Sequence, residues 1–192
     1  MGLLRFDPEQ AVVRAEARVA AKKLRGARPM PSARFLIKGS VLSLVVAGMI
    51  VGLAHRYSIA IAPQEYLCLP PYRIWIIDKG DREPVRGGIY AFHSVGLGPI
   101  FQDGTKIVKV LEGMPGDTVK VELEQTTIND QVVGEGLAVA TEKGIDPQRY
   151  VREGVIAQDR YWFFGKTNDS FDSRYWGSVK GEQIVGRAYP IW

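Results

Sequence analysis

Early in the chain the apolar positions are continuous rather than periodic: FLIKGSVLSLVVAGMIVGLA, residues 35–54, carries one charge, Lys38, near its start. Twenty helical residues span about 30 Å, the hydrocarbon thickness of a bilayer, and a lysine stem near one end can reach back to water. The pattern predicts a transmembrane anchor over residues 35–56. Two other readings compete. A core helix that is apolar all round needs a larger core than 192 residues provide. A cleavable signal peptide, with Gly52-Leu53-Ala54 as its small-x-small site, is disfavoured by a leader of 34 residues, when whole signal peptides run to roughly 15–30. Before the anchor, AEARVAAKKLRGAR (15–28) is Ala-rich and predicts a helix.

After residue 56 the pattern changes to short β-branched and aromatic runs separated by Gly, Pro and Asp. Strands are expected at 73–78, 89–94, 106–112, 118–124, 126–133, 160–165 and 183–192, which suits an all-β barrel or sandwich. The polar stretch 134–158 reads as a long connection or small insert. The organisation expected is a basic segment over 1–34, the anchor over 35–56 and a mainly β domain over 57–192. Trp75, Trp162, Trp176 and Trp192 read as core or cap residues, with lipid contact as the alternative.

Composition narrows the function. One cysteine, Cys68, and two histidines exclude an intrachain disulfide and a Cys/His zinc site. The net charge of +4 is unevenly spread: residues 1–34 hold eight Lys/Arg against three acids, and the rest holds 17 against 18. A near-neutral main domain gives a nucleic-acid reader no basic face, so nucleic acid is not expected as a partner. The basic leader, by the positive-inside rule, stays cytoplasmic while the β domain is exported, and its cations suit anionic lipid.

Three groups of residues carry candidate chemistry. Cys68 lies in YLCLPP (66–71), where Pro70 and Pro71 mark an extended turn; it reads as a buried thiol or as a nucleophile. In KIVKVLE (106–112), alternation puts Ile107, Lys109 and Leu111 on one face and Lys106, Val108 and Val110 on the other. Lys109 is either a solvated strand lysine or, on an inward face, an amine stripped of water and suited to act as a general base. Lys106, at the strand start, reaches water. The loop NDSFDSRYWG (168–177) holds Ser170, Asp172, Ser173 and Arg174 between aromatics; it reads as a surface hairpin, or as an ordered loop whose hydroxyls fix a buried amine.

These segments resemble the type I signal peptidases, membrane-anchored serine/lysine endopeptidases. LEGMPGDTV (111–119) after Lys109 is similar to the family's segment with the catalytic lysine ahead of a Gly-x-Pro-Gly-Asp turn. SFDSRYWG (170–177) is similar to its Asp-Ser-Arg loop, and Val85-Arg86-Gly87-Gly88 to its Gly-rich turn. A single anchor and Cys-Leu-Pro where Ser-Met-Pro stands make the chain resemble the TraF-type branch of conjugative-transfer systems most. The resemblance implies a signal-peptidase-like β domain with catalytic Cys68, Lys109 and Ser170, supported by Asp172 and Arg174. Cys68 then stands at the serine position, and Tyr66 at that of a hydroxyl aiding the oxyanion hole. No cofactor or metal is implied. The implied partners are a precursor protein or pilin substrate, the lipid bilayer and a conjugation or secretion apparatus. The implied location is a bacterial inner membrane with the β domain in the periplasm. The alternative is a catalytically silent relative acting in assembly of such an apparatus.

Overall fold

The computed structural model describes residues 8–24, 31–62, 67–98 and 100–191, and divides into two units, 1–49 and 50–192. Helix α1, Pro8–Leu24, covers much of the predicted Ala-rich helix; residues 25–28 of that expectation lie outside the described residues. Helix α2, Ala33–Arg56, extends the predicted anchor by two residues at its start. Its 24 residues span about 36 Å. Among the described residues it is the one helix long and apolar enough to cross a membrane, and none of it is buried in protein. An all-round apolar helix left uncovered by its own chain is suited to lipid.

Residues from Tyr57 onward are mainly β. A seven-stranded antiparallel sheet has the order β1 (Tyr57–Ile61), β2 (Ile74–Asp78), β11 (Ile184–Pro190), β3 (Ile89–His93), β4 (Lys106–Gly113), β9 (Arg160–Phe164) and β10 (Val179–Lys180). A second sheet has the order β7 (Gln131–Glu135), β6 (Gln125–Ile128), β5 (Thr118–Val121) and β8 (Arg152–Val155). The larger sheet is curled. Four inter-strand steps separate β1 from β4, about 19 Å on a flat sheet, yet Lys106 Nζ lies 3.3 Å from Ser58 Oγ.

Apolar alternation builds the core. Tyr90 and Phe92 of β3, Ile107 and Leu111 of β4, Phe163 of β9 and Ile184 of β11 pack into one cluster. Trp75, Ile77, Ala91, Val110 and Leu69 make a second. The small sheet contributes Val119, Val121 and Ile128 to a third, with Trp162 and Phe164. Trp75 and Trp162 are thus core residues; Trp176 is half-buried against Phe171 and Phe101, and Trp192 lies outside the described residues.

One expectation is corrected, one is narrowed, and one strand is added. The strand at 126–133 is a hairpin: Asn129 and Asp130 both adopt positive φ, the turn that matches strand twist, and split the run into β6 and β7. Of the two readings of 134–158 the structure shows the small insert, with a short helix α3 (Ala138–Glu142), a 3-10 turn at Pro147–Tyr150 and β8. Strand β1 follows α2 directly, so its apolar residues merge in the sequence with the anchor.

Candidate active site

Lys109 sits in β4 opposite Tyr90 of β3, on the inward face with Ile107 and Leu111, and is 2% exposed. Its Nζ donates to Ser170 Oγ at 2.6 Å, within the buried interior. The serine is fully buried, its N–H donating to Thr167 O at 3.1 Å.

The loop bearing Ser170 is held by a buried ion pair. Arg174, in the one-turn helix α4 (Ser173–Trp176), meets Asp172 through Nε to Oδ1 and through its terminal nitrogen to Oδ2, both at 2.9 Å. This fork-on-fork geometry is the strong form of the pair. Asp172 also accepts the Arg174 and Gly165 N–H groups, and Arg174 donates to the carbonyls of Ser170, Glu135 and Gly136. Burial works against the guanidinium's charge, but Asp172 outweighs it and holds the pKa above its ordinary value. The expected pair is therefore a clamp joining the Ser170 loop to the end of β7 rather than a surface contact.

Cys68 is half-buried, and its carbonyl accepts the Lys166 N–H at 2.7 Å. Next to it, Leu69 is anchored in the core with Trp75 and Ile77. Cys68 and Lys109 line the same cleft, about 320 Å³, together with Ala60 to Ala62 at the β1 end and Thr105 to Val108. Tyr66 lies outside the described residues.

Gly165 is a contributor that the sequence reading missed. A Cβ there would collide with Ser170 Oγ and crowd the Cys68 carbonyl, so only glycine lets the serine loop and the cysteine loop close on the end of β9. Lys166 contributes through its backbone, for which a sequence carries no signal.

The Gly-rich motifs turn out to brace one another. Gly87 N–H donates to Leu111 O and Leu111 N–H to Gly88 O. Arg86 donates to Glu112 O and pairs with Asp117 at 2.7 Å. Asp117 also accepts from Met114 N–H and Asn129 Nδ2. Burial pushes the Asp117 carboxyl up, but those three donors outweigh it and hold it below its ordinary range. Gly116, at φ 90°, lets the turn close. These residues fix the end of the strand that carries Lys109. A second cleft, about 450 Å³, shares only Arg174 with the predicted site residues; in it burial pushes Glu112 above the usual carboxylate range against Arg86 and Lys166.

A buried amine hydrogen-bonded to a buried hydroxyl, on a cleft shared with a thiol, is an arrangement suited to proton transfer and nucleophilic attack. Among the described residues no group of side chains fit to hold a metal ion occurs.

The comparisons with known proteins give the chain's family. A family model described as "Signal peptidase, peptidase S26" matches residues 34–192. "Probable signal peptidase I-2" of Synechocystis is 31% identical over 110 residues, 56% of this chain and 48% of that protein, so the chain spans about half of that relative. "Probable signal peptidase I-1" of the same organism is 27% identical over 178 residues, 83% of this chain and 84% of that protein. A crystal structure of a signal peptidase I from Enterococcus faecalis V583 aligns with TM-score 0.36 and 24% identity over 56% of this chain and 97% of its own. With the match running through most of its length, from the apolar helix to the last strand, the chain belongs to the signal peptidase, peptidase S26, family.

Proposed function

We propose that this chain is a membrane-anchored endopeptidase that cuts exported precursors after a small-x-small segment, with Cys68 as nucleophile and Lys109 as general base. The observation that carries the reading is the buried Lys109–Ser170 hydrogen bond on the cleft that Cys68 lines. A hydroxyl as hydrogen-bond partner, away from water, is a setting in which a lysine works as a base.

Lys109 takes the Cys68 proton, and the sulfur attacks the scissile carbonyl. The tetrahedral oxyanion is met by a backbone N–H near Cys68. Collapse breaks the C–N bond, leaves an acyl thioester on Cys68 and returns the proton from Lys109 to the departing amine. Water, deprotonated by Lys109, then releases the acid and restores the thiol. Ser170 orients the amine, and Asp172 with Arg174 holds the Ser170 loop.

Sheet topology supports an extended substrate. Strand β4 pairs with β3 over 106–110 but with β9 only from Val110 onward, so among the described residues its 106–109 portion has one free edge, and β1 ends the sheet with another. Both border the Cys68 cleft, a place for a peptide to add as a strand. Ala60 and Ala62 are small, and Ile107 and Val108 are aliphatic, which favours small substrate side chains.

The finer assignments follow the sequence. The TraF-like features point to pilin or other conjugative-transfer precursors. The basic segment 1–34 is read as cytoplasmic, with α2 crossing the inner membrane once and residues 57–192 in the periplasm. Only eleven residues separate Arg56 from Cys68, at most about 40 Å of chain, so the site stays near the membrane where a precursor emerges.

Co-expression with a candidate precursor tests the reading. Wild type and Cys68→Ser are expected to differ in rate, while Cys68→Ala and Lys109→Ala leave the precursor uncut. Processing that survives Cys68→Ala removes Cys68 as nucleophile.

A further inference from the structure

Lys106 is a charged group of the Cys68 cleft that the proposed chemistry leaves unused. It opens β4, is half-buried, and lines the cleft together with Cys68 and Lys109. Its Nζ reaches across the curl of the sheet to β1, where it donates to Ser58 Oγ at 3.3 Å, longer than the usual 2.9–3.0 Å. The acceptor is a neutral hydroxyl. No carboxylate lines the cleft among the described residues, and none of them is in an ion pair with Lys106.

A half-buried cation whose described partner is one long hydrogen bond to a hydroxyl gains more from a carboxylate, because charge-assisted hydrogen bonds are roughly twice as strong as neutral ones. The position of this unmet demand is defined. Lys106 precedes Lys109 by three residues, about 10 Å along the strand, and an extended peptide lying beside β4 advances by the same rise per residue. Its side chain also joins β1 to β4 at the open edges that the two strands present among the described residues.

We infer that Lys106 is a specificity-determining residue, which selects substrates carrying an Asp or Glu about three residues from the bond that is cut, outside the small-x-small segment. The inference rests on the endopeptidase reading above. An incoming carboxylate displaces Ser58 as the partner of Lys106, and a lysine at the same substrate position meets like charge and is rejected.

The test uses the full-length protein in detergent micelles and quenched-fluorescence peptides built around a small-x-small segment. Asp, Asn or Lys is placed in turn at each position on both sides of the cleavage point, with the two small residues of the segment kept. At one position, about three residues away, kcat/KM for the Asp peptide is expected to exceed that for the isosteric Asn peptide by about tenfold, at the low end for a hydrogen bond to a charged group. The Lys peptide is expected to fall below both. Lys106→Gln flattens the order and Lys106→Glu inverts it in favour of Lys. If wild type cuts the Asp, Asn and Lys peptides equally at every position, the inference is overturned while the endopeptidase reading stands. If wild type cuts none of the peptides, that reading fails and the inference with it. The wild-type order alone decides even if the Lys106 variants do not fold.

Discussion

At the scale of single residues, the site depends on how closely three backbone segments approach. Lys109 was legible because alternation along β4 sets its face, and that face is inward. That its partner is Ser170, 61 residues away, came from motif resemblance, since no local pattern links the two. Gly165 was not legible as a site residue: in the sequence it is a strand-ending glycine, and its necessity arises only where Ser170 and the Cys68 carbonyl meet over it. Gly165→Ala is expected to displace the Ser170 hydroxyl and lower precursor processing by about a hundredfold, as misplacements of about 1 Å do in other active sites, with the protein still folded by circular dichroism. Wild-type processing by that variant would show that the close approach is unimportant.

Elements carry the stability of the site. Asp172→Ala leaves Arg174 charged in a buried place without its partner, which costs about 3–5 kcal/mol. A thermal melt in detergent is expected to shift down by on the order of 10 °C; a shift within error would mean that the clamp is not a structural support. The turn after β4 gives a pH signature. Asp117 has a carboxyl pKa held below its ordinary value in the folded chain, so the unfolded chain takes up the proton first. Its contribution is present above about pH 4 and is lost as acidification passes the folded value. The melting difference between wild type and Asp117→Asn should therefore be largest near neutrality and shrink towards pH 3. A difference independent of pH would contradict the role given to Arg86, Asn129 and the Met114 amide. The strands themselves were legible as β-branched and aromatic runs bounded by turn residues, most of them within a few residues of their observed ends. The failures share a cause, competition between neighbouring signals. The Asn129-Asp130 turn was hidden in a run of β-formers, β1 in the anchor's hydrophobicity, and β8 in a polar stretch whose pairing with β5 is long-range.

The whole molecule joins a basic segment, an apolar helix and a β domain whose single thiol lines a cleft. Because Cys68 is the only cysteine, it reports on both topology and chemistry. A membrane-impermeant maleimide added to spheroplasts is expected to label it without lysis if residues 1–34 are cytoplasmic as proposed; labelling only after lysis would contradict that orientation. Among the described residues strand topology leaves two free edges at this cleft, where the proposed peptide would lie beside the thiol. The most direct test of the central claim, that Lys109 acts on Cys68, is the alkylation rate of the full-length protein followed from pH 5 to pH 9. The account predicts rapid modification of wild type near neutrality, slowed at least about tenfold by Lys109→Ala, because the thiolate is the reacting form. Superimposable pH profiles for the two proteins would contradict it.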